Sequence, residues 1–293
     1  MTAPQPAVVV LAGGHESVGG RDLAALVDRG PAGQGPAGRG PVVHAAAPAG
    51  RPLTEAVRSA LAAGDGPVCV VPMTLGRDPK LIADTARALR WLAADEGRGR
   101  LALTAPFGAA EHLIGWLRAA AASAGSGDAV LVTAPAAGPF EDAELFRIAR
   151  LVRQYGRHRL VEVAFAGGDP GPAEGAERCR LLGADRITAV PASFGPALPA
   201  DLKEADQRDS GVRDGGPLLR PSAIAGVVAA RTAAALHLLG HGEDGILAGL
   251  DAEHGHGYAH SHGPGADHHS HPRSSHSHPH PHPRLHAPAH TPH

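Results

Sequence analysis

Short apolar runs alternate with amphipathic stretches along the first 240 or so residues. The runs fall at 7–12 (AVVVLA), 41–47, 67–73, 101–104, 129–133, 160–166 and 186–190. They are rich in Val and Ala, are bounded by Gly, Pro or Asp, and show no polar face, the pattern of strands buried on both sides. Between them, helices are predicted at 21–29, 53–63, 79–94, 109–122, 141–155, 173–182 and 222–239. In 109–122, Leu113, Trp116, Leu117 and Ala120 share one helical face. Asp78 followed by Pro79 reads as an N-cap and a first-turn proline. The Gly/Pro-rich stretch 30–41 and the polar stretch 201–216 read as loops. Strands that alternate with helices predict an α/β fold with parallel sheets covered on both faces.

The pattern runs twice. Residues 41–76 align without gaps on 160–195 at an offset of 119. Val42/Val161, Ala45/Ala164, Glu55/Glu174, Gly64/Gly183, Val71/Val190, Pro72/Pro191 and Gly76/Gly195 coincide. The reading is two duplicated α/β lobes, 1–125 and 126–245, followed by a tail, 246–293. A cleft is expected between the lobes. In open α/β sheets ligands sit beyond the carboxyl ends of strands, which places His15, 74–78, 134–138 and 193–195 on the working edge.

The tail carries a different chemistry. Fourteen of the chain's twenty histidines lie there: His254, His256, His260, His262, His268, His269, His271, His276, His278, His280, His282, His286, His290 and His293. Pro, Gly and Ser fill the gaps and no helical or strand period exists, so the tail is expected to be disordered when empty. Neutral imidazoles on a flexible string suit Ni(II), Cu(II), Zn(II) and Co(II), with copper and nickel favoured over cobalt. The tail is therefore expected to bind divalent metal; a solubilising segment or a purification tag are the alternatives.

Composition removes several classes. With 27 basic and 29 acidic side chains and 3% aromatics, no basic stripe or stacking platform for nucleic acid stands out. Cys69 and Cys179, far apart and inside predicted elements, read as buried thiols of a reducing compartment. No secretory signal and no uninterrupted apolar span of 18 residues is visible, so a cytoplasmic protein without a membrane partner is expected.

Three stretches carry a family resemblance: the first strand ending in Gly13-Gly14-His15, the segment VVPMTLG (70–76) with LALTAPFGAAEHL (101–113), and VEVAFAGGDPGPAEGAERCRLLGADRI (161–187). Together they resemble the CbiX/SirB-type class II chelatases, the sirohydrochlorin cobalto- and ferrochelatases, over roughly 7–202. The resemblance implies a two-lobed chelatase-like fold and ATP-independent insertion of a divalent metal, cobalt or nickel with iron or zinc as further options, into a tetrapyrrole. It also implies that His15 is metal ligand and proton acceptor. The family's second histidine, after the third strand, is absent; Thr74-Leu75-Gly76-Arg77-Asp78 stands there. Its acidic residue at the end of the second strand is replaced by Ala45-Ala46-Ala47. Arg77 could hold a substrate carboxylate and Asp78 could be a ligand, or Asp78 could only cap its helix.

Two functions remain open from sequence. One is a sirohydrochlorin chelatase-like enzyme whose tail concentrates metal. The other is a nickel or cobalt metallochaperone or store on a chelatase scaffold, delivering to an apo-metalloprotein client. Among the other histidines, His44 lies within a strand, His112 with Glu111 opens a helix, and His158 reads as a surface position. His237 and His241 are spaced i, i+4 at a helix end, also at the surface.

Overall fold

Val9 and Leu11 face one side of β1 (Val8–Gly13), Val10 and Ala12 face the other, and all four are fully buried. That is why the run shows no polar alternation: a parallel strand covered on both faces has no wet side. The structure is a computed structural model that describes residues 7–27, 41–125, 127–196 and 211–253. The tail histidines, His254 onward, lie outside the described residues.

The first half comprises β1, a 3-10 turn (His15–Ser17), α1 (Ala24–Val27), β2 (Val42–Pro48), α2 (Arg51–Ala62), β3 (Val68–Met73), α3 (Pro79–Ala94), β4 (Leu101–Leu103) and α4 (Ala110–Ala121). The second comprises β5 (Ala129–Pro135), α5 (Pro139–Tyr155), β6 (Val161–Ala166), α6 (Pro172–Leu181), β7 (Ile187–Pro191), β8 (Val212–Asp214), α7 (Pro221–Leu239) and α8 (Ile246–Leu250). Each half makes a four-stranded, all-parallel sheet, in the orders β2-β1-β3-β4 and β6-β5-β7-β8. The orders are identical, and the repeat at offset 119 superposes β2 on β6 and β3 on β7. Pro72 faces Ala12 of β1 in the first sheet as Pro191 faces Thr133 of β5 in the second.

The helices do not keep to their own half. α4 packs on α5 and β7, while α7 returns to cover β3 and β4. One core therefore joins the sheets: Leu11, Val71 and Met73 with Leu113, Leu117, Val130, Val132, Ile148, Val190 and Val228. The outer faces have their own cores, Val10, Leu53, Val57 and Leu89 on one sheet and Leu131, Ala164 and Cys179 on the other. A fully buried Leu such as Leu53 contributes about 1.5–3 kcal/mol by transfer from water. α7 is long and apolar enough to cross a membrane by length and composition alone; here Ile224, Val228 and Ala235 are buried in the shared core.

Two sequence expectations need correction. The stretch 201–216 contains β8, paired in parallel with β7 through Ile187–Val212. It escaped notice because only Val212 of its three residues is buried. The folded chain also runs past 246: Ile246 is buried against the outer core, α8 packs on α3 and β4, and a 3-10 turn continues to Glu253.

Candidate functional site

β1 delivers its chain into Gly14-His15-Glu16-Ser17, a turn closed by the Ser17 and Gly19 N–H groups on the Gly14 carbonyl at 3.2 and 2.8 Å. β3, its neighbour, delivers Thr74 to Asp78 to the same edge. Gly14 lets the two loops touch, since a Cβ there would strike the Asp78 carboxylate. Gly76 adopts φ +116, and a Cβ there would strike the Ala109 backbone.

His15 Nδ1 lies 3.0 Å from Asp78 Oδ2, with the two side chains 18% and 11% exposed. The other carboxylate oxygen, Oδ1, accepts the Leu81 N–H at 2.9 Å and caps α3. Asp78 is thus both a cap and a histidine partner. Burial works to raise the Asp78 carboxyl, but the hydrogen bond and charge of His15, with the Leu81 N–H, hold it below the ordinary range. An ionised carboxylate only accepts, so a neutral His15 keeps its proton on Nδ1 and its lone pair on Nε2. Nε2 is buried and has no hydrogen-bond partner among the described residues. A histidine oriented through one nitrogen by a carboxylate, with the other nitrogen free, is prepared to bind a metal or take a proton.

Glu16 is a residue that the sequence reading passed over. It is fully buried, and its Oε2 accepts from Thr74 Oγ1 at 2.5 Å and from the Leu75 N–H at 2.8 Å. Thr74 Oγ1 in turn accepts the N–H groups of Gly76 and Asp78, at 3.0 and 3.2 Å. Glu16 therefore fixes the loop that presents Asp78. Burial pushes its carboxyl above the usual value, against the hydrogen bond of Thr74 and the charges of Arg77 and His15. Its backbone carbonyl accepts the Phe194 N–H at 2.9 Å, from the loop after β7. The signal available in sequence was an acid beside the strand-end histidine.

Arg77 is buried as well. Its Nη2 meets Asp142 Oδ1 at 3.2 Å and its Nε donates to the Glu141 carbonyl at 3.2 Å, both on the first turn of α5. Its Cζ lies 6.0 Å from the centre of the Phe165 ring. Burial pulls its acidity up, against the charges of Glu16 and Asp142. The structure thus places Arg77 inside the seam between the two sheets, engaged through Nε and Nη2 with Nη1 buried and unpartnered among the described residues, rather than on an open wall facing a substrate carboxylate. Phe140, on the same turn of α5, is 86% exposed.

The four segments expected on one edge do meet: Glu16 contacts 74–75 and Phe194, Arg77 contacts 141–142, and Asp142 accepts the Ala137 N–H at 3.1 Å. The remaining histidines lie elsewhere. His44 Nε2 is 3.2 Å from Ser59 Oγ on α2. His112 accepts the Ala109 N–H at 3.1 Å, capping α4, and stacks on Trp116. His158 is not a surface residue: it is buried, with its ring nitrogens 3.3 and 2.8 Å from the carbonyls of Asp128 and Ala121. Its polarity misled the sequence reading, because buried carbonyl partners cannot be seen in a sequence. Two surface hollows of about 480 and 710 Å³ flank His158. They lie at the amino-terminal edge of the second sheet, away from His15. Cys69 and Cys179 are free and buried, as expected, and burial pushes each thiol up to about 12.

By sequence, the chain matches no family model and no curated protein. By structure it is similar to the sirohydrochlorin chelatase SirB from Bacillus subtilis subspecies spizizenii in complex with cobalt, at TM-score 0.50 and 15% identity, covering 78% of this chain and 93% of that one. SirB from Bacillus subtilis with Fe3+ gives TM-score 0.50, 15% identity and coverage of 78% and 94%. A multi-domain protein of Deinococcus radiodurans with structural similarity to chelatases gives TM-score 0.50 and 21% identity, covering 79% of this chain and 55% of that longer one. At these identities the likeness is one of fold, and the two-sheet α/β body of this chain is a chelatase-like scaffold.

Proposed function

We propose that this protein takes a divalent transition-metal ion, cobalt or nickel in the first place, as a substrate at His15 and inserts it into a sirohydrochlorin-like tetrapyrrole without ATP. The observation that carries this reading is the buried, unpartnered Nε2 of His15, oriented through Nδ1 by Asp78 at the carboxyl edge of the first sheet. Chelatases on this fold, solved with cobalt and with Fe3+, support it.

Insertion exchanges two pyrrole N–H protons for one metal ion. Nε2 is buried in this structure, so the His15 ring must turn outward to take the incoming ion, whose other coordination positions stay with water, as transfer requires. Once the ion passes to the macrocycle nitrogens, the freed Nε2 accepts one pyrrole proton, and the Asp78 carboxylate steadies the imidazolium. The second proton goes to water. Phe140, exposed on the first turn of α5, offers an aromatic face to the macrocycle. The His-rich segment binds metal and, being tethered to the same chain, raises the ion's local concentration. The two unpaired thiols fit a cytoplasmic location.

A spectroscopic assay tests the reading. The full chain is mixed anaerobically with metal-free sirohydrochlorin and, separately, Co(II), Ni(II) and Fe(II). Insertion faster than without protein, and lost in His15→Ala, is expected; a rate equal to the protein-free control would sink it. A second reading, a metallochaperone for an apo-metalloprotein client, is favoured by one observation: among the described residues no three His, Cys, Asp or Glu side chains converge on a metal position. It requires tail-dependent metal binding with no affinity for the macrocycle.

A further inference from the structure

α7 ends at Leu239, and the chain turns back through Gly240 and His241, with the His241 N–H on the Leu238 carbonyl at 2.8 Å. This turn sets His241 beside His237, one helical turn earlier. The ring centres are 4.9 Å apart, at an interplanar angle of 75°. Both residues are exposed, and neither ring has a hydrogen-bond or ion-pair partner among the described residues.

The separation has a chemical meaning. A metal bound by one nitrogen of each ring at about 2.0–2.1 Å, with a ligand angle of about 90–109°, sets the ring centres about 4.5–5.2 Å apart. The observed 4.9 Å lies inside that range. We infer that His237 and His241 form a second, surface metal site, a bidentate imidazole pair for Cu(II), Ni(II) or Zn(II), completed by water. Hard cations such as Mg(II) and Ca(II) are not its ligand class, since they take oxygen donors. With two protein ligands the site exchanges its ion readily, which suits a station where metal is picked up and released rather than stored. His241 precedes the first tail histidine, His254, by 13 positions, so a scavenging segment begins close by in the chain. The inference does not depend on the insertion reading, because it concerns metal alone and residues outside the His15 site.

The test uses the full-length chain with its fourteen tail histidines replaced by Asn and His15 by Ala, so that neither the tail nor the His15 site competes. Cu(II) in a non-coordinating buffer is the probe, followed by calorimetry and electron paramagnetic resonance. One Cu(II) per chain, with a spectrum of two nitrogen donors, is expected. In that background His237→Ala or His241→Ala should each weaken binding at least tenfold, and the double substitution should abolish it. Both rings are exposed, so unchanged circular-dichroism melting of the apo-proteins will show that the fold is intact. No Cu(II) on the tail-substituted chain, or binding that survives the double substitution, overturns the inference and leaves the two rings as an edge-to-face packing pair. Either result leaves the role of His15 to the insertion assay.

Discussion

Asp78 serves His15 and α3 with different oxygens of one carboxylate: Oδ2 lies 3.0 Å from His15 Nδ1, and Oδ1 accepts the Leu81 N–H at 2.9 Å. A loop position that sequence alone leaves between ligand and cap is both a cap and the orienter of a histidine.

The two roles separate on substitution. Asn caps a helix about as well as Asp, so Asp78→Asn keeps the cap and should lose only the charge-assisted part of the His15 hydrogen bond, about 1 kcal/mol. It loses the negative charge behind His15, and metal affinity at His15 should fall about 10–100-fold. Asp78→Ala loses both, adding about 0.5–2 kcal/mol of destabilisation. Calorimetric metal titration and thermal melts of the two variants check this; equal metal affinity in Asp78→Asn and the parent would remove Asp78 from the site.

Acid should unfold the protein partly through Asp128 and Asp78. The Asp128 side chain is fully buried at the start of β5 and is bound by Arg186 Nε at 2.8 Å, by Arg213, by Thr188 and by the Gly125 N–H. Burial works to raise its carboxyl, and these partners hold it below the ordinary Asp value. A depressed folded pKa means stability that is fully present above the unfolded value, near 4, and is lost as pH falls through the folded one. Asp128→Asn should flatten that acid limb. Asp128→Ala should cost about 1–3 kcal/mol near neutrality, because the exposed arginines can rehydrate while the Thr188 hydroxyl and Gly125 N–H lose a partner. Denaturant melts from pH 3 to 7 measure both effects.

Much of the fold was legible because it rests on strands buried on both faces. Val8 to Gly13 and Val68 to Met73 could not read as anything wet, and the offset of 119 carried the pairing of β2 and β3 over to β6 and β7. What was illegible depends on partners. An amphipathic α4 shows an apolar face without saying that it covers β7 rather than β4. Glu16, His158 and Arg77 look like surface chemistry in sequence because charge usually is; buried partners such as the Thr74 hydroxyl, the Ala121 carbonyl and Asp142 make their burial tolerable. In the candidate site, the strand-end histidine was visible and its buried support was not.

Glu16 should give a pH dependence of the opposite sign. Its folded pKa is raised by burial, so the native state holds the proton more tightly than the unfolded chain. Its contribution to stability declines as pH rises above the unfolded value, near 4.5, toward the folded one. Glu16→Gln keeps an acceptor for Thr74 and Leu75 and should flatten that decline. Glu16→Ala leaves both donors buried without a partner and should cost about 2–4 kcal/mol. A stability profile of Glu16→Gln that still falls like the parent's over that window would show that another group is responsible.

Arg77 ties the loop after β3 to the first turn of α5. Removing one member of a buried ion pair typically costs about 3–5 kcal/mol, less where the remaining partner can reach water. Asp142 is 23% exposed and keeps the Ala137 N–H, so Arg77→Met should cost about 2–3 kcal/mol. Arg77→Lys should not restore stability, since a point charge cannot serve both Asp142 and the Glu141 carbonyl as the planar fork does. Thermal melts decide this, and a Lys variant as stable as the parent would argue against the two-point strut.

Phe140 makes the macrocycle reading testable apart from the metal. A phenylalanine 86% exposed contributes almost nothing to the folded core, so Phe140→Ala should leave the melting temperature within a degree or two of the parent. In a chain with only 3% aromatics, this ring stands on the α5 turn that receives Arg77, the neighbour of Asp78. If the tetrapyrrole lies across this edge, losing the ring removes a stacking contact of about 1 kcal/mol. That predicts about a fivefold weaker binding of metal-free sirohydrochlorin and an unchanged affinity for cobalt. Fluorescence titration with the macrocycle and calorimetry with Co(II) read the two separately. Weakened macrocycle binding with intact metal binding places the substrate on this edge; unchanged macrocycle binding moves it away from α5, and loss of both would mean that the substitution disturbs the Arg77 contact instead.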